Sequence, residues 1–259
     1  MTGKLYVIGV GPGDPELLTL KAVRILKDVP CICVPKGREE GSSLALSIVK
    51  RALNLDGKEI IEAHFPMRKT KGIKASKHQS IKDSDALTLC RSDTFIDSEL
   101  DTKWQETIET VYSRLNKGIN MAFITIGDPT IYSTFFYLYD RLLELNPELN
   151  IEIIPGVSSI NTAAARANLS LSLADEKIAI LPATYTDNLK ETLEKFDTIV
   201  LMKVHRVFDK VLTILNEMNL TNNAVYVSRA GMDDEKIFKN IRDIKEADLN
   251  YFSVVIIKK

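Results

Sequence analysis

Three turns of small residues, each closing an apolar strand-like run and lying far apart in the chain, constrain this sequence more than any other feature. The first is Gly9-Val10-Gly11-Pro12-Gly13-Asp14-Pro15. The second, Gly127-Asp128-Pro129, follows the run Met121-Ala122-Phe123-Ile124-Thr125-Ile126. The third is Ile153-Ile154-Pro155-Gly156-Val157-Ser158-Ser159. Open α/β sheets bind ligands outside the carboxyl ends of their strands, and glycine there lets a ligand approach the backbone. Three such ends predict one composite small-molecule site.

Around these turns the hydrophobic pattern alternates between strand and helix. Residues 4–10, 29–34, 59–63 and 119–126 read as apolar strands, the second stopped by Pro35. Residues 16–28, 42–55 and 101–116 carry apolar side chains at helical spacing. This alternation predicts a largely parallel sheet with helices on its faces. Beyond Pro129 the pattern restarts. Helices are expected at 131–145, 158–167, 188–195 and 207–218, and strands at 151–155, 177–181, 198–202, 224–228 and 252–257. The close spacing of the later strands predicts a mixed sheet. The fold class is therefore α/β, with an N-terminal domain over 1–126 and a C-terminal domain over 127–259.

Residues 66–103 interrupt the pattern. Arg68, Lys69, Lys71, Lys74, Lys77 and Lys82 fall within 66–82 without an acidic residue, and an acid-rich stretch follows. The segment reads as a long, partly mobile loop, a kind that is usually functional or disordered. Its basic part is a solvated face or a clamp for a polyanionic ligand.

Composition excludes several classes. The formal net charge is −1, so no overall field favours nucleic acid or membrane. The basic stretch lacks the interleaved aromatics of a nucleic-acid surface. No apolar run approaches the roughly 20 residues of a membrane helix, and no signal-peptide pattern is visible, which points to the cytoplasm. The alternation Cys31-Ile32-Cys33 is expected to turn the two thiols to opposite faces of a strand, a poor geometry for a shared metal. His64, His78 and His205 are widely separated. No protein metal site, serine elbow or HExxH motif is found.

Each turn has a bland reading beside the functional one. Gly9-x-Gly11-x-Gly13 lacks the GxGxxG spacing of dinucleotide sites, and Pro12 removes a donor from the turn. Asp128 is a helix-capping residue or a carboxylate facing the ligand crevice. Ser158 and Ser159 cap a helix or touch a ligand.

Taken together and in order, these elements resemble the tetrapyrrole (corrin and porphyrin) methylase family. The similarity spans nearly the whole chain, through VIGVGPGDPELLTLKA, ITIGDPTIYSTF, IPGVSSINTAAA and VLMK. His64-Phe65-Pro66-Met67 before the long loop, and Thr130-Ile131-Tyr132-Ser133-Thr134-Phe135 after the second turn, are similar to the C-20 methyltransferases of cobalamin biosynthesis. The resemblance implies two α/β domains around an active-site cleft, a homodimer, and S-adenosylmethionine bound between the domains. It places Ile126, Gly127, Asp128, Ile131, Ser158 and Ser159 at the cofactor. Met202, Val227, Ser228 and Val254 are implied around its adenosine. Pro12 borders the tetrapyrrole side, and Arg68 and Lys69 are expected to close over the substrate's carboxylates.

The implied reaction is direct attack of an electron-rich meso carbon on the cofactor's methyl, leaving S-adenosylhomocysteine. No protein nucleophile is required, and alignment at about 3 Å is the protein's main contribution. Asp128 is the candidate for an electrostatic or base role. The tetrapyrrole is cobalt-bound or metal-free. Alternatives are another methylase of the superfamily, such as uroporphyrinogen-III methyltransferase or diphthine synthase, and a SAM- or tetrapyrrole-binding module without turnover. A generic nucleotide-binding α/β domain, which would bind NAD, is a third.

Overall fold

Five apolar runs, β1 (Leu5–Gly9), β2 (Cys31–Lys36), β3 (Glu59–His64), β4 (Met121–Thr125) and β5 (Ile151–Ile154), form a first sheet in the order β3-β2-β4-β1-β5. Every pairing in it is parallel. The computed structural model describes residues 2–36, 43–64 and 98–259. A parallel sheet needs cover on both faces, and all five residues of β4 are buried. On one face, α1 (Leu20–Asp28) and α2 (Leu44–Ala52) pack over Ile8, Ile32, Val34 and Ile124. On the other, α3 (Ser98–Asn116) and α4 (Phe135–Leu145) cover Val7, Cys33 and Phe123.

The second sheet has the order β6-β7-β10-β8-β9, from β6 (Ile178–Pro182), β7 (Thr198–Met202), β8 (Ala224–Ser228), β9 (Lys236–Phe238) and β10 (Ser253–Lys258). β6 and β7 are parallel, and the remaining pairs are antiparallel. This is the mixed sheet expected from the sequence. α6 (Leu189–Lys195) and α7 (Phe208–Glu217) cover one face. On the other lies α5 (Ser159–Ala167), whose Ile160, Ala163, Ala164 and Ala167 pack against Val200, Val227, Val254 and Ile256. Small alanines let the helix approach the strands closely.

Several expectations need correction. β5 pairs with β1 in the first sheet, so a boundary at 126 cuts across that sheet. The helix expected over 16–28 is split, because Asp14 caps a short 3-10 turn (Pro15–Leu17) and Thr19 separately caps α1. β2 runs through Pro35; its pairing with β4 covers only Cys31–Cys33, so proline sits beyond the ladder on that side. α4 begins at Phe135 and not at Ile131, since Tyr132 has φ +52° and cannot continue a right-handed helix. Cys31 and Cys33 share one face, both lying in the α3–α4 core while Ile32 lies in the opposite one. Residues two apart on a strand point the same way. The long-loop reading of 66–103 lies outside the described residues up to 97, and its last part, from Ser98, belongs to α3.

Candidate active site

Because β4, β1 and β5 are neighbours, their carboxyl ends bring the three small-residue turns together. Val10 N donates to Thr125 O at 2.9 Å, and Gly127 N donates to Gly11 O at 2.8 Å. A Cβ on Gly9 would stand 2.5 Å from Gly127 O and 2.8 Å from Gly156 N; one on Gly156 would stand 2.7 Å from Gly9 O. These are backbone atoms that no rotamer change can move, so only glycine fits. Gly127 differs: at φ +71°, a Cβ on it would meet only Ser159 N at 3.9 Å. Room is left beside its backbone.

Asp128 fastens this joint. Its Oδ1 accepts from Thr130 N at 2.8 Å and from the Thr130 hydroxyl, and its Oδ2 accepts from Gly156 N at 2.9 Å. The carboxylate proposed as a base is thus engaged on both oxygens with protein donors, one of them on a different turn. Ser158 is buried and caps α5 by accepting from Ile160 N at 3.0 Å. Ser159, half-buried, opens the helix.

The remaining residues implied at the cofactor divide into two groups. Met202, Val254 and Val227 stand in one register row across β7, β10 and β8. They share an apolar cluster with α5, on which Ile131 and Met202 are only partly buried. Val227 and Val254 are 0% and 3% exposed, so they lie beneath that surface. Ser228 is buried beside Ser253 in the ladder, and Ile126 packs on the α1–α2 core. Pro12 is buried, and a methyl on Gly231 would lie 3.3 Å from its Cγ. Arg68 and Lys69 lie outside the described residues. Among the described residues no group of three His, Cys, Asp or Glu is placed to hold a metal. Burial and neighbouring Glu59 push the Cys31 thiol up to about 12.

Residues 4–245 match the family model of the Tetrapyrrole (Corrin/Porphyrin) Methylases. The chain belongs to that family. It is 36% identical to a probable cobalt-precorrin-2 C(20)-methyltransferase of Methanocaldococcus jannaschii, over 99% of this chain and 96% of that one. It is 31% identical to the cobalt-precorrin-2 C(20)-methyltransferase of Salmonella typhimurium, over 100% and 98%. Among solved structures, a cobalt precorrin-4 methyltransferase superimposes with a TM-score of 0.70 at 21% identity, covering 98% of this chain and 94% of that one. At that identity the likeness speaks for the fold.

Some features of this tetrapyrrole methylase escape sequence reasoning. The turn Arg229–Glu235 reaches the first glycine loop: a Cβ on Gly13 would stand 2.5 Å from Met232 Cγ, and Arg166 Nε contacts Glu235 Oε2 at 3.3 Å. Gly231, just past the end of β8, was the available signal. Tyr132, Lys203 and Tyr251 converge at the end of β7, with the Lys203 ammonium 5.6 Å from each ring centre. Lys203 follows Met202 at a strand's carboxyl end, the position where ligand contacts concentrate.

Proposed function

We propose that this methylase transfers a methyl group from S-adenosylmethionine to C-20 of cobalt-precorrin-2 or precorrin-2, in cobalamin biosynthesis. The observation that carries the reading is full-length similarity, at 31% and 36% identity, to two proteins named for that reaction. A precorrin-2 C(20)-methyltransferase of a Sinorhizobium species is also similar, at 27% identity over 98% of this chain. The fold neighbours include a uroporphyrin-III C-methyltransferase of Thermus thermophilus complexed with S-adenosylhomocysteine, at a TM-score of 0.60.

The residues at the strand ends fit such a cofactor. Gly127 leaves room beside its backbone, and Ile131 and Met202 offer partly exposed apolar surface on one cluster. In this reading Gly127, Asp128, Ile131, Ser158, Ser159 and Met202 hold the cofactor, with Ile126, Val227, Ser228 and Val254 supporting them. S-adenosylmethionine supplies an activated methyl on its sulfonium. The chain supplies alignment: the glycine joint and the Asp128 bonds fix the turns so that reactants meet at about 3 Å. Asp128 also contributes negative charge near the joint. Pro12 shapes the tetrapyrrole side through its loop, and Arg68 and Lys69 pair with the substrate's carboxylates. The protein acts as a cytoplasmic homodimer.

The test is incubation of the pure protein with methyl-labelled S-adenosylmethionine and precorrin-2, with and without cobalt, followed by mass spectrometry and NMR. One labelled methyl at C-20 is expected, and the preferred form assigns the metal state of the substrate. Cofactor binding without transfer to either form would reject the C-20 assignment.

A further inference from the structure

Lys203 occupies an unusual place. It directly follows β7, with φ +62°, a left-handed conformation that a lysine adopts only when its surroundings enforce it. Its backbone N–H donates to Ser253 O at 3.1 Å, which fixes the residue against β10. Its ammonium lies 5.6 Å from the ring centres of both Tyr132 and Tyr251. Tyr132 is itself left-handed, at φ +52°, and its hydroxyl reaches Ile180 O at 3.4 Å. Two strained residues, one from the turn after β4 and one from the second sheet, therefore meet across the two halves of the molecule.

This arrangement positions a cation without neutralising it. Aromatic faces attract an ammonium and restrict where it goes, but they leave its charge intact. Among the described residues neither Lys203 nor Arg206, three positions further on, forms an ion pair. Many other lysines here do, including Lys4, Lys21, Lys190, Lys210, Lys236 and Lys258. Lys203 is also flanked in sequence by Met202 and lies against Tyr132, the residue after Ile131, so it borders the candidate site on two sides.

We propose that Lys203, held between Tyr132 and Tyr251, binds a carboxylate of a ligand in the candidate active site. The inference rests on the reading of the chain as a tetrapyrrole methylase acting on a polycarboxylate. The substrate's acetate and propionate arms are one source of that carboxylate, and the amino-acid end of the cofactor is the other.

Full-length wild type, Lys203→Gln and Lys203→Arg should be compared in three measurements. Calorimetry reads S-adenosylhomocysteine binding, fluorescence quenching reads uroporphyrin as a stable polycarboxylate probe, and labelled methyl transfer reads turnover. Loss of one charge-assisted contact is expected to raise the Kd of the relevant ligand about tenfold in Lys203→Gln, with Lys203→Arg within about threefold of wild type. A change confined to uroporphyrin and to the substrate's KM assigns the carboxylate to the tetrapyrrole; a change confined to S-adenosylhomocysteine assigns it to the cofactor. Equal Kd values for both probes in all three proteins would overturn the proposal, as would Lys203→Arg behaving like Lys203→Gln. Wild type that binds both probes but methylates no precorrin-2 would reject the C-20 reading, and the Lys203 assignment would then be judged by the binding data.

Discussion

Asp128 Oδ2 accepts the Gly156 N–H at 2.9 Å and so ties the turn after β4 to the turn after β5. Asparagine in its place keeps one oxygen for Thr130 but sets an NH2 group against the Gly156 N–H. Losing a partly buried bond to a charged acceptor, and orphaning the amide, should destabilise Asp128→Asn by about 2 kcal/mol. Urea denaturation measures this. S-adenosylhomocysteine affinity should fall in parallel, because the joint that positions Gly127 is loosened. A pure base role predicts the opposite pattern, with kcat reduced while stability and affinity stay at wild-type values.

Gly9 and Gly156 should be intolerant of any side chain. The methyl of Gly9→Ala meets Gly127 O and Gly156 N, and that of Gly156→Ala meets Gly9 O, all within 2.8 Å. Overpacking against fixed backbone should cost about 3 kcal/mol or more in each. Gly57 is the control: it has φ +78° but nothing within 4 Å of a Cβ, so Gly57→Ala should cost only the left-handed penalty of about 1–2 kcal/mol. Thermal unfolding of the three variants checks the ranking. Neither Gly9 nor Gly156 has a positive φ, so losses no larger than that of Gly57→Ala would mean that the facing turns move aside to admit the methyl.

Among the described residues every strand but β9 is legible, because each is a short apolar run bounded by glycine, proline or polar residues, and β7 has the expected bounds; β9 (Lys236–Phe238), three residues paired along one edge only, is too short a run to show a period. The joint was legible in outline, since three glycine turns at strand ends imply convergence only if their strands are neighbours. What could not be read was adjacency. Local pattern does not say that β5 returns beside β1. Asp128 looked like a cap because capping is a local event, whereas its bond to Gly156 spans 28 positions. The left-handed turns at Tyr132 and Lys203 left no signal, because φ at a non-glycine residue is set by tertiary contacts. The opposite-face reading of Cys31 and Cys33 was an error of period, and strand geometry alone corrects it.

Those two cysteines should be unreactive in the native protein. Burial raises both thiols, Cys31 to about 12 and Cys33 further, and the thiolate is the reactive form. Iodoacetamide at pH 8 should leave both unmodified for hours, while the urea-unfolded chain is labelled at both within minutes. Peptide mapping by mass spectrometry resolves the sites individually. Rapid native labelling of Cys31 would show that the α3 side of the sheet opens far more readily than its packing implies.

A last expectation concerns acid. Glu152 on β5 receives Lys21 and Lys4, the latter at 2.6 Å, and these partners hold its carboxyl down at about 2. The unfolded chain binds that proton near the ordinary carboxylate value, about 4.3. Between the two values the unfolded state carries more protons, so stability falls as pH drops through this window. Above about pH 5 the contribution is fully present and flat. Glu152→Gln should therefore lower the urea midpoint most at pH 6–7, with the gap to wild type narrowing steadily from about pH 4.5 downward. Added salt should narrow it as well, because the carboxylate is partly solvated and screened. A gap that stays constant from pH 7 to pH 3 would mean that Glu152 stabilises β5 through packing of its methylenes and not through its charge.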